Sequence, residues 1–187
     1  MRYSSTHKQD TRDKLLDSSR AIAKKGGFDS TGIDALMAAI GLTGGAFYSH
    51  FKSKGDLFGA IVEREMDNST AMLAGDDASA PDHVAKCLRS YLSTNHALHP
   101  ESGCALTTLG PEIARAPPAV RATVERSLKK LQRGWSERLD GDRDKAWALL
   151  AQCVGAIVMA RAVESETTRQ EILASCRRFV EKTRLEG

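Results

Sequence analysis

The sequence predicts an all-α fold, and three observations predict it. Apolar residues recur at three- and four-residue spacing through most of the 187-residue chain, the period of an amphipathic helix. No run alternates apolar and polar residues as a half-buried strand does. Only 5 prolines interrupt the chain, which leaves room for long helices. The composition, 41% apolar and 27% charged with mean hydropathy −0.35, is that of an ordinary folded chain.

The elements follow in order. A first helix is expected from about Thr11 to Lys25, capped by Asp10 and ended by Gly26-Gly27. Leu15, Leu16, Ser19, Ile22 and Ala23 form its inward stripe. Ile33, Leu36, Met37 and Ile40 stand at i, i+3, i+4 and i+7 of a second, short helix that Gly41 stops. Thr43 is placed as the cap of a third short helix holding Phe47, Tyr48 and Phe51. Beyond Lys52-Ser53-Lys54-Gly55, a longer helix carries Leu57, Phe58, Ile61, Val62 and Met66. Residues 75–81 read as a linker. Val84, Cys87, Leu88, Tyr91 and Leu92 mark the next helix, and residues 99–103 a loop. A short helix from about Cys104 to Arg115 is expected to be interrupted or bent near Gly110-Pro111. Val120, Val124, Leu128, Leu131, Trp135 and Leu139 mark a long helix, turned back at Asp140-Gly141-Asp142. One helix through Trp147, Leu150, Val154, Ile157 and Val158, and another through Ile172, Cys176, Phe179 and Val180, complete the chain.

Several classes are excluded at this level. No stretch of about 18 uninterrupted apolar residues exists, so no membrane span is expected. The polar N-terminus lacks an apolar h-region, so no secretory signal is expected and a cytoplasmic address follows. Cys87, Cys104, Cys153 and Cys176 form no C-x-x-C pair, which argues for free thiols and against a zinc ribbon or a dithiol redox centre. No nucleophile elbow, phosphate loop, dinucleotide fingerprint or H-E-x-x-H run is present, so the sequence suggests no enzyme class, cofactor or metal. Net charge is +3, and all of it lies in residues 1–60, which hold nine basic and six acidic side chains against eighteen of each in the remainder. A basic module joined to a neutral one points to an anionic partner for the first third. Arg2, Lys8 and Arg12 read as solvated charge, with a flexible arm onto the anionic partner as the alternative.

Residues 31–51 carry the function. Two short helices separated by Gly41-Leu42-Thr43 match the tight turn of a helix-turn-helix. The apolar residues pack the pair together and leave Thr43, Gly44, Gly45, Tyr48, Ser49 and His50 for a groove. Lys52 and Lys54 follow at a helix start, where phosphate is favoured. The run from Gly27-Phe28 through Thr31, Ile33, Gly41-Leu42-Thr43, Tyr48-Ser49-His50-Phe51 and Lys54 closely resembles the DNA-binding domain of TetR-type transcriptional regulators over about residues 10–60.

The resemblance implies double-stranded operator DNA as partner, with contacts from Thr31, Gly32, Thr43, Gly44, Gly45, Tyr48, His50 and Lys54. Thr43, Gly44 and Gly45 begin the recognition helix, and Tyr48 and Lys54 meet phosphate. Gly32 and Gly44 depart from the family pattern, in which a hydroxyl and a basic side chain are common. The resemblance further implies a helix-turn-helix domain over residues 1–55 and a helical effector-binding and dimerisation domain over residues 56–187. A small-molecule effector is expected among Tyr91, His96, Cys104, Leu106, Leu109, Val124, Leu128 and Trp135. Homodimer contacts are expected from Trp147, Leu150, Val154, Ile157, Val158, Ile172 and Phe179. Repression relieved by the effector is the expected mode, with the Leu57–Met72 helix as lever. Cys104, read as the start of a helix, is an alternative oxidant or electrophile sensor. The competing readings are a helical interaction module without DNA binding and a small α-helical enzyme.

Overall fold

The computed structural model describes residues 5–74 and 82–185. Among these, nine α-helices and two 3₁₀ segments account for the regular structure. Helix α1 spans Ser5–Gly26, and Asp10 lies inside it rather than capping it, so the helix begins earlier than its polar first turns suggest. Leu15, Ser19 and Ala23 are fully buried on its inner face. The chain then enters α2, Ile33–Ala38, whose Leu36 and Met37 are also fully buried. Gly41, at φ 74°, takes the left-handed turn that a side chain disfavours.

The segment expected as a third α-helix is instead a 3₁₀ helix, Gly44–Ser49. Two glycines at its start disfavour α-helix nucleation. Thr43 holds the cap position with extended backbone, yet its side chain makes no capping hydrogen bond. Helix α3, Lys54–Ala74, is capped by the Ser53 hydroxyl, which accepts the Asp56 N–H at 3.1 Å. It runs against α7, Pro118–Glu137. The linker expected over residues 75–81 lies outside the described residues.

Helix α4, His83–Tyr91, and α5, Thr94–Leu98, lead to a 3₁₀ turn at Pro100–Ser102, in the stretch expected as loop. Helix α6 covers Leu106–Arg115 with Pro111 inside it, so it starts two residues later than expected and is one helix. Helices α8, Arg143–Ala162, and α9, Glu166–Leu185, pack on each other. Asp140 and Gly141 turn the chain at positive φ, and the Asp142 carboxylate caps α8 by accepting the Lys145 N–H at 2.8 Å.

The core is divided. One cluster joins Leu15, Leu36, Phe47, Leu57, Phe58 and Ile61 to Ala105, Leu109, Ile113 and Val124. A second holds Leu73, Leu88, Leu131, Trp135, Leu149 and Cys153. The Trp135 indole N–H donates to the Leu73 carbonyl at 2.8 Å, tying α7 to α3. Helix α8 is the one described helix long and apolar enough to cross a membrane by length and composition. It packs between α7 and α9 and gives Ala146, Leu149, Cys153, Ala156, Ile157 and Ala160 to the interior.

Candidate nucleic-acid interface and adjoining cavity

The helix-turn-helix surface is built by contrast between its two sides. Phe47 and Phe51 face inward, fully buried and 5% exposed, with their rings 5.9 Å apart. Tyr48 points the other way and is 65% exposed. Thr43, Gly45 and Ser49 share its exposure, and nothing lies within 4 Å of a Cβ built on Gly45 or Gly32. The result is a small-residue surface that admits close backbone approach to a groove. Arg12 is not simply solvated: its guanidinium lies 4.6 Å from the centroid of the Phe51 ring. Arg2 falls outside the described residues, and Lys8 is exposed.

Three of the expected DNA-contacting residues are engaged within the chain. The Thr31 hydroxyl donates to the Gly27 carbonyl at 3.1 Å. Lys54 donates to the Asp29 carbonyl at 2.9 Å and sits 4.9 Å over the Phe28 ring, leaving two ammonium donors for phosphate. His50, half-buried, closes the 3₁₀ helix by donating its backbone N–H to Phe47.

A clamp that the sequence did not announce fixes the turn before α2. The Glu112 carboxylate, from α6, accepts the Phe28 N–H at 3.0 Å and the Asp29 N–H at 3.1 Å. Gly27 sits at φ 86° beneath it.

A cavity of about 590 Å³ opens between α1, α3, α4 and the segment 93–104. Of the eight residues expected at an effector pocket, Tyr91, His96 and Cys104 line this cavity. The other five expected pocket residues do not. Leu109, Val124 and Trp135 are buried core, and Leu106 and Leu128 pack against that core, because each faces a neighbouring helix. The cavity wall is more polar than those apolar residues suggested. Arg20 and Lys24 converge on Glu65 at 2.9 and 2.6 Å, with Lys24 and Glu65 only 1% and 4% exposed. Lys24 also donates to the Gly103 carbonyl at 2.7 Å.

His96 is held in one tautomer. The Tyr91 carbonyl lies 2.7 Å from its Nδ1, and its Nε2 accepts the Cys104 N–H at 2.9 Å. An N–H must therefore stand on Nδ1. Burial, helped by Arg161 and Lys24, holds the imidazole below the usual histidine range. The Tyr91 hydroxyl is buried with no hydrogen-bond partner among the described residues. Burial first, then the neighbouring Cys104 thiol, pushes the phenol up. Cys104 stands before Ala105, the N-cap residue of α6, and so is not the first residue of the helix. Arg161 of α8 spans to the cavity wall, donating to the His96 and Ala97 carbonyls and to the Thr107 and Thr108 hydroxyls.

The residues expected at a homodimer face divide by exposure. Trp147, Val158 and Phe179 are 40%, 45% and 59% exposed. Val154 and Ile172 are half-buried, while Leu150 and Ile157 are buried within the protomer, where they serve its own core. Met159, 58% exposed, adds to the apolar surface of α8. No group of three or more His, Cys, Asp or Glu residues suited to a metal occurs among the described residues.

Comparison with known proteins matches this geometry. The sequence model of the family described as bacterial regulatory proteins, tetR family, matches residues 15–61. The HTH-type transcriptional regulator AcrR of Shigella flexneri is 34% identical over 84 residues, 45% of this chain and 39% of that relative. The chain thus aligns with well under half of that curated relative. Along its length it shares its fold with a TetR-family regulator from Agrobacterium tumefaciens, at TM-score 0.78 and 22% identity, covering 94% of this chain and 98% of the other. Reduced NemR of E. coli aligns at TM-score 0.70 and 22% identity, covering 89% and 95%. A TetR regulator from Legionella pneumophila aligns at TM-score 0.75 and 18% identity, covering 98% and 99%. The tetR-family match thus covers the helices of residues 15–61, and along its length the chain shares the fold of these regulators.

Proposed function

We propose that the protein is a homodimeric, operator-binding transcriptional repressor released by a small molecule bound in the 590 Å³ cavity, and that it has no catalytic activity. The carrying observation is the exposed surface of Thr43, Gly45 and Tyr48 beside Lys54, inside the segment that matches the tetR family. One short recognition helix reads few base pairs, so specificity calls for two copies on a pseudo-palindrome. The cavity supports a coupling route. It touches α1 through Arg20 and Lys24, and α3 through Glu65 and Leu73, and α3 begins at Lys54 on the DNA side. A ligand that prefers the non-binding arrangement shifts the population away from DNA.

The test is selection of bound sequences from a random DNA pool, followed by titration of affinity against salt. A repressor of this kind enriches a two-fold related site and loses affinity steeply as salt rises, and Lys54→Ala lowers the slope by about one phosphate's worth. No enrichment, or binding indifferent to salt, rejects the proposal in favour of a helical interaction module.

A second input has its own observation. Cys104 lines the same cavity and shares its wall with Tyr91 and His96, so modification of its thiol acts on the same coupling elements. Cys104→Ser protein that still releases DNA when treated with a mild electrophile removes this reading and leaves the ligand one intact.

A further inference from the structure

Asp34 is the second residue of α2 and is exposed, and no hydrogen bond or ion pair engages its carboxylate among the described residues. Its Oδ1 occupies the space into which a Cβ on Gly44 would project, and its Cγ lies 3.1 Å from that point. Gly44 is the first residue of the recognition helix, and the leading residues of such a helix meet base edges. The carboxylate therefore stands where the first reading side chain would begin.

We infer that Asp34 reads a base in place of the side chain that Gly44 lacks, and that it selects cytosine at one position of each half-site. An ionised carboxylate only accepts hydrogen bonds. In the major groove the donors are the amino groups of cytosine and adenine, and adenine sets its N7 acceptor beside its donor. Two acceptors facing each other repel, so cytosine is the favoured partner. Phosphates repel the same carboxylate, so Asp34 lowers affinity for DNA in general while raising the contrast between sequences. Gly44 makes this possible, since any larger residue takes the space of the carboxylate.

The inference rests on the DNA-binding reading, and its test separates the two. Full-length wild type, Asp34→Asn and Gly44→Ala are each put through selection from a random pool, with helicity checked by circular dichroism. Wild type should enrich cytosine at one position per half-site. Asp34→Asn should move that position to adenine, whose N6 and N7 suit an amide, with preference for cytosine falling about tenfold. Gly44→Ala, which turns the carboxylate aside at unchanged charge, should weaken the cytosine preference too. Identical base preferences in wild type and Asp34→Asn overturn the inference and leave DNA binding standing. Failure of every protein to enrich any sequence overturns both.

Discussion

At the scale of single residues, the buried polar groups decide how the protein responds to its surroundings. His96 accepts the Cys104 N–H only while neutral, and burial with Arg161 and Lys24 nearby keeps it so. The folded protein therefore binds fewer protons than the unfolded chain in mildly acidic solution. Its contribution to stability is present above the ordinary histidine value of 6.5 and is lost as pH falls below it. The melting temperature should drop as pH is lowered from about 7.5 to about 5.5. His96→Gln, which keeps a donor and an acceptor but cannot titrate, should flatten that dependence while lowering stability overall. Equal pH slopes in the two proteins would show that His96 is not the responsible group.

Lys24 and Glu65 show how far such groups were legible. Lys24 lies eight residues after Leu16, and Glu65 four after Ile61, so helical periodicity assigns both to the inner face. Charge favours the surface for such residues, and mutual neutralisation lets both be buried. Period, rather than residue type, was the signal to follow. The Glu112 carboxylate offered no such signal, because its partners are backbone amides that the sequence does not distinguish. The outward placement of Thr43, Tyr48 and Ser49 follows from the apolar spacing, which turns Phe47 and Phe51 inward.

At the scale of elements, α6 is the joint between the cavity and the turn that leads into α2. Its N-terminal approach carries Gly103 and Cys104 on the cavity wall, and Glu112 sits on its far turns. Glu112→Ala strips an acceptor from two backbone amides at the turn into α2. It should cost about 1–3 kcal/mol in urea unfolding and speed hydrogen exchange at Phe28 and Asp29. Unchanged exchange at those two amides would show that the turn holds its shape without the clamp. The 3₁₀ form of the recognition segment was not predictable from its apolar spacing. The four-residue spacing of Phe47 and Phe51 suits an α-turn, but Phe51 lies beyond the 3₁₀ segment, and the two leading glycines disfavour α-helix nucleation.

At the scale of the whole molecule, the exposed apolar residues of α8 and α9 are the feature that a single protomer does not explain. Trp147, Val158, Met159 and Phe179 are all at least 40% exposed, and an interface between copies is the economical way to cover them. A Val158→Glu, Phe179→Glu double variant should sediment as a monomer with unchanged helicity and should lose affinity for any two-fold site. A variant that remains dimeric places the interface elsewhere. Apolar spacing locates these helices but does not divide their residues between the core and the outside. Leu150 and Ile157 face the protomer's own core, and a helix apolar on several sides does not reveal which side is shared.

The first hydrophobic cluster has a consequence for protein engineering. It runs without a break from Leu15 and Phe47 through Leu57 to Leu109 and Val124. The N-terminal helices are thus not a portable cartridge. Chimaeras that splice it from one relative to another after residue 55 cut through a single packed body. Those that exchange α1 to the middle of α3 together with matching residues of α6 and α7 keep it whole. Swaps designed on the packing should yield soluble hybrids where swaps designed on the sequence boundary yield aggregates.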